Sequence, residues 1–254
     1  MILDAFGLRE RRYVHLIGGG GKTTLMFAAA HALAAEGRSV LTTTSTRILY
    51  PEPAQSDCVV LGSHAASLVE RLRSEFATRR HVTAVAPDPE GGRKVGGLPV
   101  VVLDALVDAR IAEHMLVEAD GAAGRSLKVH ADHEPVVSPR ADLVIGVIGA
   151  DCLGAPLDDA HVHRSALLRE RVGRPAGALV TAEDVAGIVL RPDGWLARVA
   201  RECEVVAFVN QAATPQAVAQ ARRLADALRA SDAGHRLARV VIGDVRTGVF
   251  EDTG

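Results

Sequence analysis

The sequence predicts a three-layer α/β fold, a mainly parallel sheet with helices on both faces, and three observations carry that expectation. Short apolar runs rich in Val and Ile alternate with longer Ala- and Leu-rich runs along most of the chain, the order of strand–helix–strand units. The apolar run from Tyr13 to Ile17 breaks into four glycines and then a helix-forming stretch, so strand, tight turn and helix follow in succession. At 254 residues and 48% apolar content, the chain can bury one substantial core.

Element by element, Tyr13 to Ile17 reads as the first strand and Lys22 to Glu36 as a helix closed by Gly37. Ser39 to Thr44 gives a second strand that ends in a hydroxyl run reaching Thr46, and Pro51 and Pro53 mark a loop. Strands at 59–61 and 82–86 flank a helix near 65–73, and the Gly- and Pro-rich stretch 87–99 reads as irregular. Val100 to His114 reads as a helix leading into a strand at 115–119, with a long polar loop over 120–140 and a further strand at 143–148. Thr181 before Glu183 and Asp184, and Thr214 before Pro215, are helix-start signals, predicting helices near 182–190 and 214–230. Strands at 205–209 and 239–242 complete the set. One domain over 1–254 is expected, with a small helical cap over 154–203.

Net charge is −2, so no global basic field favours nucleic acid or an acidic membrane surface. An aromatic content of 3% argues against base-stacking platforms. Cys58, Cys152 and Cys203 lie far apart and frame neither a disulfide scaffold nor a zinc ribbon. The first residues lack a basic stretch followed by a long apolar run, and no run reaches bilayer length, so a cytoplasmic protein is expected.

The chemistry concentrates in Gly18-Gly19-Gly20-Gly21-Lys22-Thr23-Thr24. Consecutive amides without Cβ atoms in the way can curl around an anion, and the helix that follows aims its positive end at the same point. Lys22 then reaches the β- and γ-phosphates of ATP or GTP, and the Thr23 hydroxyl ligates Mg²⁺. The standard phosphate loop asks for glycine where Leu16 stands, and a second variety asks for lysine where Ile17 stands; the core Gly-Lys-Thr is intact. A dinucleotide turn would need glycine at Thr23 or Thr24.

Met115 to Gly121 supplies the acidic partner. Side chains alternate along a strand, so Glu118 and Asp120 share a face at its C-terminal edge, where open α/β sheets bind ligands. Asp120 is the expected Mg²⁺ carboxylate with Thr23, and Glu118 positions water or metal; salt bridges to surface arginines are the bland alternative. Thr43, Thr44 or Thr46 would reach metal or phosphate if their strand neighbours the first. The loop from Arg125 to Pro135 crowds basic, imidazole and acid groups together, a composition suited to polar ligands. His130, His133, His161 and His163 have no helical spacing or cysteine partner to frame a metal site. Asn210 stands where guanine-specific loops begin their base-reading motif, but Ala213 replaces the carboxylate, so ATP and GTP both stay open.

The blocks Leu16 to Thr23, Leu41 to Thr46, Val117-Glu118-Ala119-Asp120-Gly121 and Ala131-Asp132-His133-Glu134-Pro135-Val136 together resemble the YqeC-type family, accessory proteins of selenium-dependent molybdenum hydroxylases. Gly149-Ala150-Asp151 and Asn210-Gln211 also fit, whereas Gly19, Ser45 and Ala212-Ala213 depart from the pattern. The resemblance implies a P-loop NTPase-like, nucleotide-binding protein acting in maturation of a molybdenum-containing hydroxylase, a selenium-dependent one in the family's own description. From the residues themselves, an Mg²⁺-dependent ATP or GTP hydrolase or switch is the first expectation. A small-molecule kinase or ligase using the 125–134 loop, and a non-catalytic nucleotide-binding chaperone or scaffold, are the alternatives.

Overall fold

The computed structural model describes residues 1–253. Nine strands form one sheet: β1 (Tyr13–Gly18), β2 (Val40–Thr44), β3 (Val59–Leu61), β4 (His81–Val85), β5 (His114–Glu118), β6 (Leu143–Gly149), β7 (Glu204–Asn210), β8 (Arg239–Asp244) and β9 (Val249–Asp252). Their spatial order is β9-β8-β7-β6-β1-β5-β2-β4-β3, parallel throughout except for β9, which runs antiparallel at one edge. The six longer helices are α1 (Lys22–Ala35), α2 (Ala65–Phe76), α3 (Val100–Asp108), α4 (Ser165–Val172), α5 (Ala182–Leu190) and α6 (Pro215–Ser231). The protein is therefore α/β with a large, mostly parallel central sheet.

The alternation of side chains sorts the sheet into two buried faces. Val14 and Leu16 of β1, with Ile145 of β6 and Phe208 of β7, pack on Leu25, Met26 and Leu33 of α1. On the opposite face, Val144, Ile148 and Val205 pack with Val185 and Ile188 of α5 and with Leu224 and Leu228 of α6. Leu41, Met115 and Val117 meet Leu68 and Leu72 of α2 and Leu103 and Leu106 of α3 on that same side. Near-continuous burial along β1, β5 and β6 is what covering on both faces requires.

The predicted strands and the helices at 22–36, 65–73, 182–190 and 214–230 are present within a few residues of their expected ends. Thr181 closes a full capping box with Asp184, and the Thr214 hydroxyl accepts from the Ala217 N–H at 3.2 Å. The helix expected over 100–114 is shorter and ends at Asp108. Arg110 turns left-handed at φ 49°, and the His114 N–H donates to the Ser39 carbonyl at 3.1 Å, drawing the chain into β5 early. Three features carried no periodic signal: the edge strand β9, an antiparallel ribbon of Ile48–Leu49 with Lys94–Val95, and a parallel ribbon of Leu127–Lys128 with Val162–His163. The ribbon at 94–95 interrupts the stretch expected to be irregular. The 154–203 stretch holds α4, α5 and a 3-10 turn at Trp195–Arg198, and Leu168, Val185 and Trp195 belong to the core on the α6 side. No helix among the described residues is long and apolar enough to cross a membrane.

His15 sits at the centre of β1, in register with Val117 and Val144. Both its ring nitrogens are buried without a hydrogen-bond partner, and burial pushes its pKa down to about 3. Burial, with His31 beside it, pushes His81 on β4 down to about 4. Both rings are therefore neutral when folded, while in the unfolded chain they take up protons near the ordinary value of 6.5. A base whose folded pKa is depressed contributes stability above the unfolded value and loses it below. Stability should fall as pH drops from about 6.5 toward 4, by about 1.4 kcal/mol per pH unit for each ring. Urea unfolding at pH 7.5 and pH 5 reads this directly, and His15→Leu should flatten the dependence; equal wild-type midpoints at the two pH values would contradict it.

Candidate functional site

β1, between β6 and β5, ends at Gly18, so the glycine turn lies at the middle of the sheet's C-terminal edge. Gly18 adopts φ 94°, and a Cβ there would stand 2.3 Å from the Val147 carbonyl and 2.6 Å from the Trp195 ring. At Gly20, φ is 77°, with the Gly149 amide 2.3 Å from where a Cβ would be. The turn is thus packed closely against β6, and only glycine fits those two positions. The first bond within α1 runs from the Leu25 N–H to the Gly21 carbonyl at 2.9 Å, so the amides of Lys22, Thr23 and Thr24 precede it and are the helix's open donors.

The amides of Gly18, Gly19 and Gly20 are engaged. Gly18 N–H donates to Asp120 Oδ2 at 2.9 Å. Gly19 N–H donates to the Val147 carbonyl and Gly20 N–H to the Arg125 carbonyl, each at 2.9 Å. Asn210, expected at a base site, is instead 4% exposed and clamps this turn. Its Nδ2 donates to the Gly20 carbonyl at 2.7 Å, and its Oδ1 accepts from the Val245 N–H at 3.1 Å.

Lys22 folds back over the turn at 4% exposure and donates to the Gly18 carbonyl at 2.6 Å. Its ammonium lies 3.1 Å from Asp120 Oδ1 and 3.7 Å from Glu118 Oε1. Asp120 Oδ1 makes no directed hydrogen bond, so the contact with Lys22 is ionic. Burial works against the ammonium, but Asp120 and Glu118 outweigh it and raise its pKa. Asp120 is buried as well, yet Lys22, His130 and Lys128 hold its carboxyl well below the usual range. Glu118 goes the other way, because burial outweighs Lys22 and Thr23 and raises it. The two carboxylates share one ammonium, and Asp120 holds the larger part of it.

Thr23 is paired differently from the expectation. Its hydroxyl donates to Glu118 Oε2 at 2.6 Å, so the hydroxyl–carboxylate pair at the helix mouth is Thr23–Glu118, not Thr23–Asp120. Asp120 faces the 120–134 loop. His130 Nε2 is hydrogen-bonded to Asp120 Oδ2. A carboxylate held ionised only accepts, which puts the imidazole proton on Nε2; Nδ1 is buried without a partner. Lys128 donates to the Gly121 carbonyl at 2.5 Å and to Glu134 Oε1 at 2.9 Å, and stands 3.6 Å from Asp120. Glu134 also pairs with Arg164, and although burial opposes its charge, these cations bring its pKa down to about 2.

Lys22, Thr23, Glu118 and Asp120 are therefore brought together, and Lys128, His130, Glu134 and Trp195 join them. The crowded composition of the 125–135 loop signalled these partners, though not that they face inward. Trp195 had no signal: its indole N–H donates to the Lys128 carbonyl at 3.0 Å from a residue 67 positions away. The threonine run lies one strand further off, because β5 separates β2 from β1. Thr44 donates to the Glu118 carbonyl at 2.8 Å, Thr42 pairs with Thr83 at 2.7 Å, and Thr43 Oγ1 is buried without a partner. His133 is exposed, and His161 bonds Asp158 at 2.7 Å. No group of three or more His, Cys, Asp or Glu suited to hold a metal occurs among the described residues.

A family model described as YqeC protein matches residues 14–166, from β1 past the glycine turn, Glu118 and Asp120 into the start of α4. A protein of Escherichia coli (strain K12), described as uncharacterized protein YqeC, is 29% identical over 218 residues, covering 83% of this chain and 80% of the relative. The chain belongs to the YqeC family.

Proposed function

We propose that this P-loop NTPase-like chain binds the phosphates of ATP or GTP at the Gly18–Thr24 turn, with Mg²⁺, and hydrolyses the nucleotide as a maturation factor for a molybdenum-containing hydroxylase. One observation carries the nucleotide reading: an ammonium, a helix mouth with open amides, a threonine hydroxyl and two carboxylates meet at the centre of the sheet's C-terminal edge. The hydroxylase client rests on the family resemblance. A cytoplasmic location accords with that role.

The Thr23 hydroxyl beside the Glu118 carboxylate, with Asp120 behind it, is an all-oxygen donor set suited to a hard cation such as Mg²⁺. The phosphates fit less well. With Gly19 and Gly20 amides spent on carbonyls and Lys22 held by Asp120, the turn as it stands offers only the helix-mouth half of a triphosphate cradle. Binding has to break those contacts first.

Release of inorganic phosphate from Mg-ATP or Mg-GTP tests the reading. Wild-type protein is expected to turn over one of them slowly, and Lys22→Ala to abolish it; turnover unchanged in Lys22→Ala would refute the assignment. The closed charge cluster also favours a second reading, a non-catalytic nucleotide-binding scaffold, which tight binding without turnover would select.

A further inference from the structure

The Gly19 N–H is held by Val147 of β6, and the other bonds that spoil the phosphate cradle depend on one piece of chain. Arg125 supplies the carbonyl that takes the Gly20 amide, Ser126 the carbonyl that takes the Gly149 amide at 2.8 Å, and His130 and Lys128 the groups that hold Asp120. This strap is buried at Leu127 and Val129, which share a core cluster with Ile17, Val144 and Ile148, and it is also tied to the 154–203 segment. Leu127 and Lys128 pair with Val162 and His163, Arg125 Nε donates to the Asp159 carbonyl at 2.9 Å, and Arg164 Nη1 donates to the Val129 carbonyl at 3.0 Å. Trp195 ties Lys128 from the same side.

The strap begins at a run built to bend. Gly121-Ala122-Ala123-Gly124 has no bulky side chain; Ala123 sits left-handed at φ 49°, and Gly124 follows at φ 76° with open space where a Cβ would be. A non-glycine residue in that region stores local strain. A short segment with a small-residue hinge can open locally at lower free energy than the whole core.

We propose that residues 121–134 form a lid that plugs the phosphate loop with its own backbone carbonyls and moves off it, and off the 154–203 segment, when a nucleoside triphosphate enters. The inference rests on the phosphate-binding reading. The incoming phosphates replace the Arg125 carbonyl at the Gly20 amide and replace Asp120 at the Lys22 ammonium. The Ser126–Gly149 and Trp195–Lys128 bonds then break, although neither touches phosphate. The lid thereby turns occupancy of the glycine turn into displacement of a surface remote from it.

Amide-resolved hydrogen exchange of the full-length protein, with and without saturating Mg-ATP or Mg-GTP, separates the possibilities, with calorimetry run alongside to establish binding. Protection of the Gly149 N–H and the Trp195 indole N–H is expected to fall by about tenfold on binding, while that of Gly20 persists because phosphate replaces the carbonyl. Gly19→Ala gives a nucleotide-free version, since the new methyl would lie 2.5 Å from the Arg125 carbonyl. It should raise exchange at Gly149 and Trp195 by more than the accompanying fall in its unfolding midpoint accounts for. Nucleotide binding with Gly149 and Trp195 protection unchanged overturns the lid and leaves the binding reading standing. Absence of binding by either nucleotide overturns both.

Discussion

Asp120→Ala is expected to lower the unfolding free energy by about 3–5 kcal/mol, a large part of what a domain of this kind holds in reserve. The side chain accepts the Gly18 N–H, bonds His130 and balances Lys22 and Lys128, all of them buried. Removal leaves the Lys22 ammonium facing Glu118 alone, whose own charge burial disfavours, and leaves the Gly18 amide without its acceptor. An uncompensated buried charge costs more than the pair it came from ever contributed. Asp120→Asn keeps the shape and an acceptor oxygen for Gly18, so its loss should be smaller. Urea unfolding at pH 7.5 decides, provided the slope with denaturant is unchanged. A loss below about 1 kcal/mol for the alanine variant, typical of an exposed pair, would show that the cluster is not closed.

Trp195→Ala should cost a similar amount, about 3–5 kcal/mol, for a different reason. The ring is 2% exposed and packs where Cβ atoms on Gly18 and Gly146 would otherwise be, within 2.6 and 2.9 Å of ring carbons. Truncation leaves a cavity against the glycine turn and frees the Lys128 carbonyl from its donor. Trp195→Phe retains much of the volume and loses mainly the hydrogen bond, so about 1 kcal/mol is expected on top of imperfect packing. Thermal unfolding of the two variants side by side tests this, and equal losses would contradict the cavity account.

Much of this site is legible along the chain. A strand running into Gly18–Gly21 and Lys22 fixes turn, helix mouth and ammonium within ten residues, and the alternation of β5 puts Glu118 and Asp120 within reach of Lys22. These are local or period-two relations. What the chain conceals is pairing across distance. That β5 rather than β2 lies beside β1 depends on strand order, which leaves the threonine run a strand away from the loop. That Thr23 chooses Glu118 depends on a few ångströms of side-chain reach. Asn210 has the right residue type for a base contact, yet its amide is consumed between Gly20 and Val245, because the loop approaches β7 closely enough to need a clamp. Lys128 and His130 read as parts of a polar loop suited to ligand contact, whereas the 154–203 segment folds over them and both are buried.

The most direct test of the central claim is a calorimetric titration of the wild-type protein with Mg-ATP and Mg-GTP, repeated with Lys22→Met. Saturable binding of one nucleotide, weakened by about 2–5 kcal/mol in the variant, is the predicted result, since that is the cost of removing one partner from a buried charged contact. Absence of binding at millimolar nucleotide, or equal affinity in wild type and variant, would contradict it.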